Sequence, residues 1–142
     1  MPPHGFSSDA FSASADDAHS VLLEVVSLRT SVITLSGDHD VNTRELVAEA
    51  MLRTTYLPHL IVDLTPCTFI DATMFATLVR GRRAGSRPAE LVVPDDGGEV
   101  SRTVKCSLID RFLLVHASLE EALRSEPSIP WSPPARWLYL VR

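Results

Sequence analysis

Lysine is nearly absent from this chain: Lys105 stands alone against twelve arginines among 142 residues. That imbalance is a compositional bias and carries no functional signal. Cysteine is also scarce, with only Cys67 and Cys106. Two cysteines exclude a disulfide framework and a cysteine zinc site, and no nearby histidine pair completes one. Free thiols are the default, and a redox-active Cys67–Cys106 pair is the alternative if the fold brings the two together. No apolar run approaches the roughly 20 residues needed to span a bilayer, so membrane insertion is not expected. The start of the chain lacks a basic stretch followed by an apolar one, the pattern of a secretory leader, so the expected location is cytoplasmic.

Positive charge is in deficit. Thirteen Lys and Arg face eighteen Asp and Glu, for a net charge of -5. Such a surface repels a phosphate backbone, so direct nucleic-acid binding is not expected without a local basic patch. The one cluster, Arg80, Arg82, Arg83 and Arg87, reads as the solvated C-terminal end of a helix. Catalytic signatures are missing as well: there is no nucleophile elbow, P-loop or dinucleotide glycine pattern. His4, His19, His39, His59 and His116 are scattered, and no two have metal-ligand spacing. Neither an enzyme nor a metal or other cofactor is expected. A nucleotide phosphate at the Gly97-Gly98 turn has no fingerprint behind it.

What is present suits one compact α/β domain of ordinary apolar content, 45%. Residues 1–19 are rich in Ser, Ala, Asp, Pro and Gly and are expected as a disordered tail. Val21–Val26 and Val32–Leu35 are β-rich runs spaced for an antiparallel hairpin. After the Gly37-Asp38-His39-Asp40 loop, Asn42 or Thr43 caps a helix to about Tyr56, with Leu46, Val47, Ala50, Met51 and Tyr56 on its apolar face. Pro58 ends it. Leu60–Leu64 is a near-continuous apolar run, as in a strand covered on both faces.

Asp71 opens a second helix to about Arg83, with Phe75, Leu78 and Val79 facing inward and Gly85 as C-cap. Ala89–Val93 is a strand, Glu99–Ser107 a helix and Phe112–His116 a last strand. Ser118 and Glu121 form a capping box for a helix to about Ser125. The order ββαβαβαβα predicts a mixed, mostly parallel sheet with an antiparallel first strand at its edge. The domain is expected over 20–126. A C-terminal extension over 127–142 holds four prolines with Trp131, Trp137 and Tyr139, which excludes a long helix.

The carboxyl ends of the strands gather 37–40, 65–71 and 94–98, where open α/β sheets bind ligands. Asp71 as a helix cap contributes about 1 kcal/mol. The amides after it favour an added phosphate, whereas Asp71 and Asp40 repel one, so a phosphoryl group here acts as an electrostatic switch. Asp38 and Asp40 flank His39 and would raise its proton affinity. Asp63 reads as a strand-end group that bonds backbone or solvent.

These residues resemble a STAS domain, the fold of anti-sigma-factor antagonists, over Val21–Ser125. The resemblance is carried by Leu35-Ser36-Gly37-Asp38-His39-Asp40, similar to the family's Gly-x-x-Asp turn after the second strand. It is carried equally by Leu60-Ile61-Val62-Asp63-Leu64-Thr65 with Phe69-Ile70-Asp71, and by the element order. The family's phosphoacceptor helix opens Asp-Ser-Ser/Thr-Gly-Leu; the matching residues here are Asp71-Ala72-Thr73-Met74-Phe75. The usual target serine is Ala72 and the usual glycine is Met74, which leaves Thr73 as the candidate phosphoacceptor, about 100° further round the helix.

The resemblance implies a non-enzymatic regulator of sigma-factor-dependent transcription. It would bind an anti-sigma factor of the serine-kinase type through Asp38, Asp40, Asp71, Ala72, Thr73, Met74 and Phe75. With Ala72 the binder is constitutive; with Thr73 phosphorylated it is switched. For Met74 and Phe75 a place in the core competes with a place at the interface. The alternative function is a STAS scaffold or a subunit of a transport or sensory complex without a phosphorylation switch. The oligomeric state stays open, a homodimer included.

Overall fold

The computed structural model describes residues 11–16, 19–82 and 87–125. Seven strands form a single sheet: β1 (Phe11–Asp16), β2 (His19–Val25), β3 (Thr30–His39), β4 (His59–Asp63), β5 (Cys67–Ile70), β6 (Glu90–Val92) and β7 (Val115–His116). The helices are α1 (Arg44–Leu52), α2 (Met74–Arg80), α3 (Glu99–Ser107) and α4 (Leu119–Arg124). The strand order is β1-β2-β3-β4-β6-β7, and β5 pairs with β3 off that path. The β1–β2 and β2–β3 pairings are antiparallel and the other four parallel, as expected for a mixed, mostly parallel sheet.

The period-two rule explains the apolar run of β4. Leu60 and Val62 point into the main core with Ile33, Leu35, Val47, Met51, Met74, Phe75, Leu78 and Leu91. Ile61 points to the opposite face and packs with Val32, Val92 and Ala122, with Leu119 beside them. Both faces of the strand are therefore dry. Helices α1, α2 and α3 supply the first core and α4 covers the second.

Several boundaries differ from expectation. Within the segment 1–19 expected as a tail, Phe11–Asp16 is an edge strand paired with β2, while residues 1–10 lie outside the described part. Ser12 and Ala13 carry little burial signal, but strand pairing is satisfied by backbone groups, which every residue but proline supplies in full. Helix α1 stops at Leu52, so Tyr56 is not on its inner face and is 74% exposed. Helix α2 stops at Arg80 with Gly81 as its C-cap, and Val79 is exposed. A Cβ at Gly81 would run into the Met51 thioether and stand 2.9 Å from the Thr77 carbonyl oxygen, so glycine is what lets α1 and α2 close. Gly85, Arg83 and the aromatic extension 127–142 lie outside the described residues. The last strand shrinks to Val115–His116, because Ile109–Arg111 forms a 3-10 turn first.

Arg82 is not part of a solvated helix end. It is buried; its guanidinium donates to the carbonyls of Thr54 (3.1 Å), Leu57 (2.8 Å) and Arg87 (3.1 Å). It thereby ties the α1–β4 loop to the segment before β6. Burial lowers its proton affinity from the usual arginine value, and the carbonyl oxygens supply the polar contacts that a buried cation requires.

Candidate functional site

Strand β3 is long enough to serve two partners. Its first half pairs with β4 and its last three residues with β5, at Gly37–Cys67, Asp38–Phe69 and His39–Ile70. Between β4 and β5 the chain turns at Thr65-Pro66. Asp63 Oδ1 accepts from the Thr65 amide (2.9 Å) and hydroxyl (2.6 Å), and the Pro66 carbonyl accepts from the Gly37 amide (3.1 Å). Asp63 is thus the turn-forming group expected at a strand end. The register shifts at Gly37, whose φ of 79° suits glycine. Strand β5 occupies what reads in sequence as a loop; only the extra length of β3 gives it something to pair with.

The pairing aligns three acidic residues along one edge. Asp38 is exposed and its Oδ1 accepts from the Thr68 hydroxyl at 2.6 Å. Asp40 caps the 3-10 turn Val41–Thr43, its Oδ1 accepting from the Asn42 amide at 2.8 Å. The Asp71 amide donates to the His39 carbonyl at 2.9 Å, which holds the two segments together. Asp71 Oδ1 then accepts from the Thr73 amide (2.9 Å) and the Thr73 hydroxyl (3.1 Å). Asp71 therefore caps the turn that leads into α2, and the helix proper begins at Met74.

Ala72 and Thr73 are exposed. Met74 and Phe75 are not: they are 1% and 3% exposed and belong to the main core. Of the seven expected contact residues, Asp38, Asp40, Asp71, Ala72 and Thr73 come together at the surface, and Met74 and Phe75 hold the helix down from beneath. The cause is helical periodicity, since Met74, Phe75 and Leu78 share the face toward the sheet. Two apolar residues that sequence reasoning did not assign to this surface join it instead. Val41 follows Asp40 and is 53% exposed, and Phe69 pairs with Asp38 and is 38% exposed. Both are large apolar residues outside any periodic element of the sequence, and that was the available signal.

His39 is turned inward and fully buried. Its Nε2 donates to the Ser36 carbonyl at 2.9 Å, so Nδ1 accepts from the Thr43 hydroxyl at 3.0 Å. Burial lowers its proton affinity, and the attraction of Asp38 is a minor opposing influence. The expectation of a raised proton affinity is overturned, because burial outweighs the attraction of Asp38.

The two cysteines are free, Cys67 buried and Cys106 exposed. Burial pushes the Cys67 thiol up to about 11, and its Sγ donates to the Phe69 carbonyl at 3.2 Å. A thiol so held has almost no thiolate at neutral pH, which argues against a redox-active pair.

A second polar cluster, invisible in the sequence, lies under α4. Glu90 Oε2 is 3.1 Å from His59 Nε2, and its Oε1 is 2.7 Å from His116 Nε2 and 2.8 Å from the Ser125 hydroxyl. His59 Nδ1 meets the Thr30 hydroxyl at 3.0 Å. Burial alone would raise the Glu90 carboxyl, but the donors from His59, Ser125 and His116 outweigh it and hold the group down at about 2. The cluster lies beneath the second face of the sheet and fastens the end of α4; it is not an open site. Among the described residues no group of three His, Cys, Asp or Glu is placed to hold a metal ion, and no helix is long and apolar enough to cross a membrane.

Neither a family model nor a curated relative matches the sequence. Solved structures do match. An anti-sigma factor antagonist from Mycobacterium paratuberculosis aligns with a TM-score of 0.68 at 21% identity, over 80% of this chain and 97% of that one. The anti-sigma factor antagonist SpoIIAA in its unphosphorylated form aligns with a TM-score of 0.57 at 19% identity, over 72% of this chain and 92% of that one. The Bacillus cell fate determinant SpoIIAA in the phosphorylated form gives 0.52 at 18%, over 73% and 96%. The fold is that of the anti-sigma factor antagonists, the STAS fold implied by the sequence resemblance.

Proposed function

We propose that this chain is an anti-sigma-factor antagonist that acts by docking, without chemistry of its own, and thereby regulates sigma-factor-dependent transcription in the cytoplasm. The observation that carries this reading is the edge on which Asp38, Asp40 and Asp71 are held by the β3–β5 pairing, with Val41 and Phe69 exposed among them. An acidic rim around exposed apolar side chains is suited to a partner with a complementary basic and apolar face. By resemblance that partner is an anti-sigma factor of the serine-kinase type.

Ala72 stands at the usual target serine and has no hydroxyl to phosphorylate. Thr73 is the remaining candidate, and its hydroxyl is engaged by Asp71. A phosphoryl group on Thr73 would break that bond and bring about -1.5 to -2 charges against the Asp71 carboxylate. The constitutive form is therefore favoured. Its test is incubation with the cognate kinase and ATP followed by phosphopeptide mapping: unmodified Thr73 is expected, and stoichiometric phosphate on it refutes the constitutive form. Binding itself is tested by capture of the anti-sigma factor. Asp71→Ala should weaken capture at least about fivefold, and unchanged capture by Asp71→Ala and Asp38→Ala together refutes this surface.

A further inference from the structure

Helices α1 and α2 leave a groove of about 640 Å3 between them, lined by Arg44, Ala48, Leu52, Ala76, Thr77 and Arg80, together with Glu45, Thr73 and Gly81. The two helices run the same way, each crossing from one parallel strand to the next. Arg44 and Thr73 lie at the starts of α1 and α2, and Leu52, Arg80 and Gly81 at their ends. The two arginines thus stand at opposite ends of the groove, about two helical turns, or roughly 10 Å, apart along its length. Both are exposed, and among the described residues neither forms an ion pair. Glu45 is the one carboxylate on the rim, so the groove carries excess positive charge on a chain whose net charge is -5. Ala76, within α2, is open to solvent, and Leu52, at the Arg80 end, is 65% exposed.

An apolar channel of this length with a cation at each end matches one kind of occupant. We infer that it receives an amphipathic helix of a partner protein, with apolar side chains on Ala48, Leu52 and Ala76 and with carboxylates two turns apart meeting Arg44 and Arg80. This is the helix-in-groove mode, with anchors at helical spacing and charge fixing the register. The groove borders the Asp71 surface through Thr73 but has the opposite charge. It extends the proposed docking reading by giving the chain a second contact of its own chemistry.

The test uses the full chain, isotope-labelled, and two amidated helical peptides of about 14 residues. Each has leucines on one face; one carries glutamates two turns apart and the other lysines at the same positions. The glutamate peptide should bind at least about fivefold more tightly, and should shift the amides of Ala48, Leu52, Ala76 and Thr77. Arg44→Glu with Arg80→Glu should reverse the preference, and Arg44→Lys with Arg80→Lys should retain it. Ala76→Gln, which keeps helix propensity and fills the groove, should weaken both peptides. Equal binding of the two peptides, shifts on the Asp71 surface instead, or a preference unchanged by charge reversal would each overturn the inference. So would concentration-dependent broadening of the groove amides without peptide, which would seat a second copy there. Capture of the anti-sigma factor is scored separately with Asp71→Ala, so either reading can fail while the other stands.

Discussion

Replacing Glu90 tests whether a buried polar cluster, not apolar packing alone, holds α4 on the sheet. The carboxylate is buried and accepts from His59 Nε2, His116 Nε2 and the Ser125 hydroxyl. In Glu90→Leu the Nε2 groups of His59 and His116 lose their acceptor in a site water does not freely enter, while the Ser125 hydroxyl keeps the Ala122 carbonyl at 2.7 Å. Breaking such an arrangement from one side costs about 3–5 kcal/mol, which lowers the melting temperature by roughly 10 °C or more in a chain of this size. Glu90→Gln is milder. Its carbonyl oxygen can still accept from His116 and Ser125, while its amide faces His59 Nε2. That histidine must then change tautomer and donate from Nδ1 to Thr30, so the cost is about 1–2 kcal/mol.

The same carboxylate makes stability depend on acid. Its folded value, about 2, lies below the ordinary 4.5. The native state therefore binds this proton less readily than the unfolded chain does. The resulting stabilisation, about 3 kcal/mol, is fully present above pH 4.5 and disappears as pH falls through about 2. Thermal melts of the wild type and both variants between pH 7 and 2, with amide exchange read at α4, measure all of this. Wild type and Glu90→Leu should converge at the acid end, and α4 amides should exchange faster in Glu90→Leu at neutral pH. A Glu90→Leu protein that melts within about 2 °C of wild type at pH 7 would refute the reasoning.

Arg82→Met should destabilise the chain by about 2–4 kcal/mol, since the Thr54 and Leu57 carbonyls lose a buried donor; chemical denaturation measures it, and a change under about 0.5 kcal/mol would count against the buried guanidinium. Gly81→Leu should cost about 1–3 kcal/mol through its collision with Met51, seen as a lower denaturation midpoint, whereas an unchanged midpoint would mean that α1 and α2 part without penalty. Native thiol labelling at neutral pH, followed by mass spectrometry, should modify Cys106 readily and Cys67 only after unfolding. Equal labelling rates would contradict the burial of Cys67.

The main elements could be read from pattern because each rests on short-range rules. Leu60–Leu64 announced a strand buried on both sides and Ser118 with Glu121 announced the start of α4; both stand in the fold, with the Ser118 hydroxyl accepting from the Glu121 amide at 3.2 Å, while Asp71, expected as the helix cap, caps the turn before α2. Strand β5 escaped because Thr65-Pro66 breaks the chain before it and its pairing partner is the far end of β3. Arg82 escaped because charge among neighbouring arginines says nothing about which side chain folds under the loop.

At the site, the residues' chemistry was legible and their direction was not. Local sequence dictated the turn capped by Asp71 and the absence of a hydroxyl at Ala72, since these depend on residue type and a turn of a few residues, whereas the β3–β5 pairing brought Asp38 and Asp40 beside Asp71. The burial of His39, the arrival of Val41 and Phe69 at the surface, and the meeting of Thr30, His59, Glu90, His116 and Ser125 were set by tertiary structure alone. Strand register and helix rotation decide which of two faces each side chain takes, and only packing against elements distant in sequence settles either one.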